Sequence, residues 1–204
     1  MLEWITNTIN SLGYWGIALL MFLENLFPPI PSELIMPLAG YTSNLPGAKL
    51  NVIGVFFAGL LGSVAGALIW YYPGKLFGER RLHTWADKYG KWLTISSKDI
   101  TKAKRWFDQQ GSKAVFIGRL VPGVRTLISV PAGMSNMHLL PFLIYSTLGS
   151  AVWVGLLTYS GYALGSQYEL VEKYLDPVSK IVLAVLILAF VVWVIKRKQK
   201  NRRR

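Results

Sequence analysis

Hydrophobic and polar positions segregate into long blocks along this chain. Asn51–Pro73 and Thr126–Tyr168 contain no Asp, Glu, Lys or Arg. A helix needs about 20 apolar residues to cross a bilayer, so residues 50–72 predict one span, 141–164 a second and 178–195 a third. Gly59, Gly62 and Gly66 recur along one face of the first, which suits close helix packing. The third is short; Lys180 can snorkel at one end, and the tail KRKQKNRRR, residues 196–204, holds the other in the cytoplasm. Residues 74–111 are polar and basic. Within them SSKDITKAKRWFDQQG sets Ser97 before Asp99 and spaces Ile100, Ala103, Trp106 and Phe107 as one helical face, predicting a surface helix at the inner interface. With so few aliphatic residues this segment cannot bury a core of its own.

Two further apolar segments are interrupted. FLENLFPPIPSELIMPLAG carries Pro28, Pro29 and Pro31 beside Glu24 and Glu33, and GRLVPGVRTLISVPAG carries Pro122, Gly123 and Pro131 beside Arg119 and Arg125. Proline stops a helix from running straight through. Each segment is therefore expected to turn back as a hairpin, over about 14–47 and 112–135.

The chain also repeats itself. LGSVAGALIWYYPGKLFG from Leu61 and LGSAVWVGLLTYSGYALG from Leu148 share Leu, Gly, Ser, Tyr, Gly and Gly at matching offsets, 87 residues apart. Pro37-Leu38-Ala39-Gly40 precedes the first, and Pro131-Ala132-Gly133 the second. Both halves then read as interfacial helix, broken segment, Ala-Gly, full span, with the first repeat over 1–73 and the second over 112–165. If each broken segment returns to the side it entered, each half crosses once and the second is inverted, an arrangement found in transporters. The expected fold is a single all-α polytopic membrane domain, 1–204: an inverted repeat of two opposed re-entrant helical hairpins with three or four transmembrane helices. Chance likeness of Gly-rich apolar sequence is the competing account.

Composition agrees: 52% of residues are apolar, 16% are charged, eight are Trp, ten are Tyr and none is Cys. Disulfide and thiol chemistry are excluded, and no cofactor or metal is called for. MLEWITNTINSLGYWG lacks a basic n-region and a small-residue cleavage site, so no removable signal peptide is expected. The net charge of +12 sits in two patches, ten Lys and Arg between Lys75 and Lys113 and seven between Lys196 and Arg204. This is the bias of cytoplasmic loops. Nucleic-acid binding is not expected, because no soluble recognition module accompanies the patches. The link GSQYELVEKYLDP, three acids against one Lys, fits the outer side. Trp4, Trp15, Trp70, Tyr71, Tyr72 and Trp193 fall near span ends and predict an aromatic belt.

Charges buried in a membrane segment cost about 2.5–3.5 kcal/mol each near its centre and mark functional sites by default. Two Glu against two Arg make a neutral site, and Arg offers planar forks of donors to carboxylate or phosphate oxygens. Arg119 and Arg125 are the expected phosphate ligands, with Thr126 beside them. Glu24 and Glu33 are the expected proton carriers, because an anion entering a neutral low-dielectric site is offset most cheaply by protonating a carboxylate. A purely structural ion-pair lock is the alternative. Asn25 and Ser32 could also meet a headgroup, although local backbone satisfaction serves them equally well. No enzyme is expected: His83 and His138 sit in no phosphatase motif, and Ser160 has no partner His.

At these residues the chain resembles the DedA family. The likeness rests on Glu-x-x-x-Pro-x-x-Pro-x-Glu (Glu24, Pro28, Pro31, Glu33). It rests more specifically on Gly118-Arg119-x-x-Pro122-Gly123-x-Arg125-Thr126 with Pro131-Ala132-Gly133. It covers roughly Gly13 to Gly165; the wider superfamily carries the VTT or SNARE-associated Golgi domain and includes lipid scramblases. The resemblance implies two opposed re-entrant hairpins and movement of lipids between leaflets. It places the family's essential acids at Glu24 and Glu33 and its essential arginines at Arg119 and Arg125; several members have Asp where Glu33 stands. The expected function is a flippase for a phosphate-bearing lipid, foremost undecaprenyl phosphate, coupled to protons in the bacterial cytoplasmic membrane with the C-terminus inside. A broad phospholipid scramblase, a phosphatidylethanolamine transporter and a proton-coupled ion or drug antiporter remain open. So do the substrate, the side of the N-terminus and whether two copies act together as a homodimer.

Overall fold

The structure, a computed structural model, describes residues 2–26, 31–93, 97–122 and 124–164. The third apolar stretch expected to span, the acidic link before it and the basic tail lie outside the described residues. The described residues are all-helical: α1 (Leu2–Leu12), α2 (Tyr14–Leu26), α3 (Ser32–Thr42), α4 (Val52–Leu93), α5 (Ser97–Gln110), α6 (Ser112–Arg119), α7 (Val124–Leu127), α8 (Ser129–Met134) and α9 (Leu139–Ala163). Among them two helices are long and apolar enough to cross a membrane, Val52–Gly78 within α4 and Leu139–Ala163.

The sequence places the end of the first span at Tyr72, ahead of Pro73, but the helix continues. Proline's missing N–H frees one carbonyl without ending a helix, and the break comes at Gly78, whose φ of 61° only glycine adopts at little cost. Beyond it α4 runs on to Leu93. Pro141 lies in the first turn of α9, where no intrahelical partner awaits its N–H, so this span starts two residues earlier than expected. Glycines in the left-handed region also join α1 to α2 (Gly13, φ 58°) and α5 to α6 (Gly111, φ 58°).

Helix packing crosses between the two halves. α2 lies on α4 and α6 on α9, each within its own half, whereas α3 lies on α9 and α8 on α4. Glycine makes each crossing possible. A Cβ at Gly40 would meet the Thr158 carbonyl, and one at Gly133 the Tyr71 carbonyl; one at Gly161 would meet the Pro37 carbonyl, and one at Gly74 the Val130 carbonyl. These are corresponding contacts in the two repeats. The spans α4 and α9 are antiparallel, for Gly59 faces Val154 while Tyr71 stacks on Phe142, ring centroids 4.4 Å apart.

Residues 34–40 of α3 are buried on every side, as in a helix enclosed by others. Tyr71, assigned by its position to an aromatic belt, is fully buried instead, with its hydroxyl donating to the Met137 carbonyl. Tyr72 next to it is exposed. On α5, Trp106 is exposed while Phe107 enters a cluster with Ala67, Tyr71, Val115, Ala132 and Phe142. Phe107 thus packs α5 against α4, α6, α8 and α9.

Candidate functional site

Glu24 stands in the last turn of α2 and Arg125 in α7, and the two form a buried ion pair. The backbone N–H of Ser32, at the start of α3, donates to Glu24 Oε1 at 3.2 Å. Trp153 of α9 reaches Ser32 and Arg125. Its Nε1 donates to Ser32 Oγ at 3.3 Å, and its ring centroid lies 5.9 Å from Arg125 Cζ. Glu24 Oε2 has no hydrogen-bond partner among the described residues. A buried pair of this kind recovers its desolvation cost only with good geometry and satisfied remaining atoms, so the free oxygen is a point where a proton or a ligand donor fits.

Arg119, the last residue of α6, is 1% exposed. Its Nη2 donates to Ser129 Oγ at 3.0 Å, while Nε and Nη1 have no partner among the described residues. Buried guanidinium donors left in this state are costly. Donors in this state can take an oxyanion or another acceptor.

Glu33 and Thr126 are half-buried and make no ion pair or hydrogen bond among the described residues. Pro31 precedes α3 with extended backbone, Pro122 is exposed in the turn after α6, and Pro131 lies inside α8. Pro28, Pro29 and Gly123 lie outside the described residues. The structure therefore joins Glu24 to Arg125 and gives Arg119 a separate hydroxyl partner, rather than gathering four charges in one cluster. The charges are also not at corresponding positions. Gly62 abuts the Ala18 carbonyl where its repeat counterpart Gly149 abuts that of Phe116, so Arg119 corresponds in register to Met21.

Asn25 bonds locally, Nδ2 to the Met21 carbonyl at 3.0 Å, and its own carbonyl accepts from Trp70 Nε1 at 2.6 Å. Sequence reasoning missed Ser129, Ser146 and Trp153. For Trp153 a signal existed: it is the repeat counterpart of Gly66, which packs against Asn25 beside Glu24. One half places an indole at that position, and in the other Asn25 closes onto a glycine.

Residues 12–163 match the VTT domain, and the chain belongs to the VTT domain family. It is 41% identical to a Lactococcus lactis protein named alkaline phosphatase-like protein, over 98% of this chain and 97% of that one. It is 35% identical to undecaprenyl phosphate transporter A of Staphylococcus aureus, again over 98% and 97%. Protein DedA of Escherichia coli is 28% identical over 98% of this chain and 91% of its own. No solved structure matches the chain.

Proposed function

We propose that this protein carries a phosphate-bearing lipid, foremost undecaprenyl phosphate, between the leaflets of the bacterial cytoplasmic membrane, with proton uptake at the Glu24 site. The observation that carries the reading is the buried guanidinium of Arg119, two of whose donor nitrogens have no partner among the described residues, together with a buried Glu24–Arg125 pair whose carboxylate has an oxygen likewise unpartnered. Such a site accepts an oxyanion at Arg119, and protonation of Glu24 frees Arg125 to join it. Glu33 and Thr126, half-buried near the same prolines, are the proposed second carboxylate and hydroxyl on the headgroup's path. The staphylococcal relative's name supports the lipid, and the antiparallel repeated spans support an inverted repeat in which the segments around Glu24 and Arg119 enter from opposite faces as re-entrant hairpins.

Reconstitution in liposomes tests this. The expected result is movement of polyprenyl phosphate that a proton gradient accelerates, little movement of phosphatidylethanolamine, and loss of gradient dependence in Glu24→Gln. Equal, gradient-independent movement of both lipids means scrambling instead. Undiminished gradient-driven movement in both Glu24→Gln and Glu33→Gln removes the carboxylates from the mechanism.

A further inference from the structure

Ser146 of α9 is fully buried, and its hydroxyl has no hydrogen-bond partner among the described residues. A serine within a helix ordinarily resolves this by donating to a carbonyl three or four residues back. Thr158 and Ser160 of the same helix do so, at 2.7 and 2.8 Å. Ser146 makes no such bond among the described residues.

Its place relative to Arg119 follows from the packing. A Cβ at Gly149 would lie 2.6 Å from Arg119 Cβ, which puts the root of the arginine one turn along α9 from Ser146. The side chain ends at Ser129, whose neighbour Val130 packs on Gly74 of α4. Because α4 and α9 are antiparallel with Tyr71 against Phe142, Gly74 lies past the Phe142 level. The guanidinium therefore extends from Gly149 along α9 in the direction of Ser146, so that the unpartnered Nε and Nη1 of Arg119 and the unpartnered Oγ of Ser146 belong to the same stretch of buried packing against α9.

We infer that Ser146, with Ser129, completes an oxyanion site around Arg119 that takes the terminal oxygens of a phosphate monoester. Two hydroxyls can each donate to a phosphate oxygen while the guanidinium fork supplies the charge. The site is built for a ligand rather than for the fold, since each orphaned atom lowers the stability of the empty protein. This inference rests on the phosphate-lipid reading above and names further residues for it. The shared chemistry is a phosphate monoester, whether it arrives on a lipid or as free phosphate.

The opposite signs of two effects test it. In purified full-length protein in detergent, Ser146→Ala removes an unsatisfied buried hydroxyl and is expected to raise Tm by roughly 2–4 °C. It is expected to weaken farnesyl phosphate binding about tenfold. Ser129→Ala takes away a bond that Arg119 already has, and is expected to lower both. Ser160→Ala, exposed and bonded to its own helix, is expected to change neither. Farnesol tests dependence on the phosphate, and inorganic phosphate separates a lipid headgroup from a free anion. Wild-type protein that binds neither farnesyl phosphate nor inorganic phosphate overturns the phosphate reading itself. Wild-type binding that Ser146→Ala leaves unchanged, or a Tm that falls in Ser146→Ala, overturns the role of Ser146 alone.

Discussion

The hydroxyl of Ser63 donates to the hydroxyl of Ser150 across 3.4 Å, and the two residues are 87 positions apart, the period of the internal repeat. A residue touches its own counterpart only where a twofold axis passes through the contact. The pseudo-axis thus runs between α4 and α9, and the crossed glycine contacts lie on either side of it. An asymmetry of charge is laid over this frame: one half contributes Glu24 and Glu33, and the other Arg119 and Arg125.

That asymmetry makes the two ends of the ion pair unequal. Removing Glu24 leaves Arg125 buried with a charge it cannot shed, whereas removing Arg125 leaves a carboxylate that can take up a proton. Glu24→Ala is expected to destabilise the protein by about 3–5 kcal/mol, as for other broken buried pairs. Arg125→Ala should cost less by roughly 1 kcal/mol or more, and the double variant should recover part of the loss. Chemical denaturation in detergent micelles reads all three, and equal single losses would show that both groups are wet.

The glycine crossings predict where a methyl group is tolerated. Gly161→Ala drives a Cβ into the Pro37 backbone, which has no flexible end to move aside. It is expected to cost about 1–3 kcal/mol, in the range of overpacked cores. Gly155→Ala, whose Cβ would sit 3.5 Å from the Phe56 ring, should be neutral or gain up to about 1 kcal/mol from helix propensity. Thermal unfolding of the pair checks this; similar losses at both sites would mean that the α3–α9 crossing is looser than the backbone contact implies.

Trp153 joins the second span to the charged pair through two separable contacts. Trp153→Phe keeps a ring over Arg125 and loses the N–H to Ser32, a neutral bond worth about 0.5–1.5 kcal/mol. Trp153→Leu loses the cation–π contact as well, worth about 0.5–2 kcal/mol more. Liposome transport should therefore fall up to about tenfold in the first and further in the second. A Leu variant as active as the Phe variant would assign the indole to packing alone.

Much of the architecture was legible in the sequence because it is written in spacing. The repeated Leu-Gly-Ser and Ala-Gly signatures mark the two spans and the glycines Gly40, Gly133, Gly74 and Gly161 at which they cross. Glu24 and Arg125 stand out as charges in apolar surroundings. The pairing of these two, leaving Glu33 without a partner among the described residues, was not legible, because it depends on how α2 and α7, far apart in the chain, meet in space. Ser129, Ser146 and Trp153 are ordinary residues for membrane helices. What distinguishes them is an unmade or long-range hydrogen bond, which no local pattern records. The span end was misjudged at Pro73 for a related reason: the rule that proline ends a helix is local, and packing of α8 against Gly74 holds the helix together past it.

Besides the packing of Phe107, one carboxylate joins α5 to the chain just after α8. Ser135, just after α8, donates to Asp108 Oδ1 at 2.6 Å, and Lys104 donates to Oδ2 at 2.6 Å. The bond from Lys104, then that from Ser135, holds the Asp108 carboxyl below its ordinary range. A carboxyl whose pKa is depressed by folding contributes stability that is present above its unfolded value, about 3.9, and is lost as pH falls through the lower folded value. Both groups are largely solvent-screened, so the contribution should stay below about 1 kcal/mol. Asp108→Asn is therefore expected to lower Tm slightly at pH 7 and to converge with the wild type at an acid pH below the depressed folded value. High salt should shrink the Lys104 share and leave the Ser135 share. A Tm difference that is the same at both pH values would mean that Asp108 acts through shape and hydrogen bonding, with no contribution from its charge.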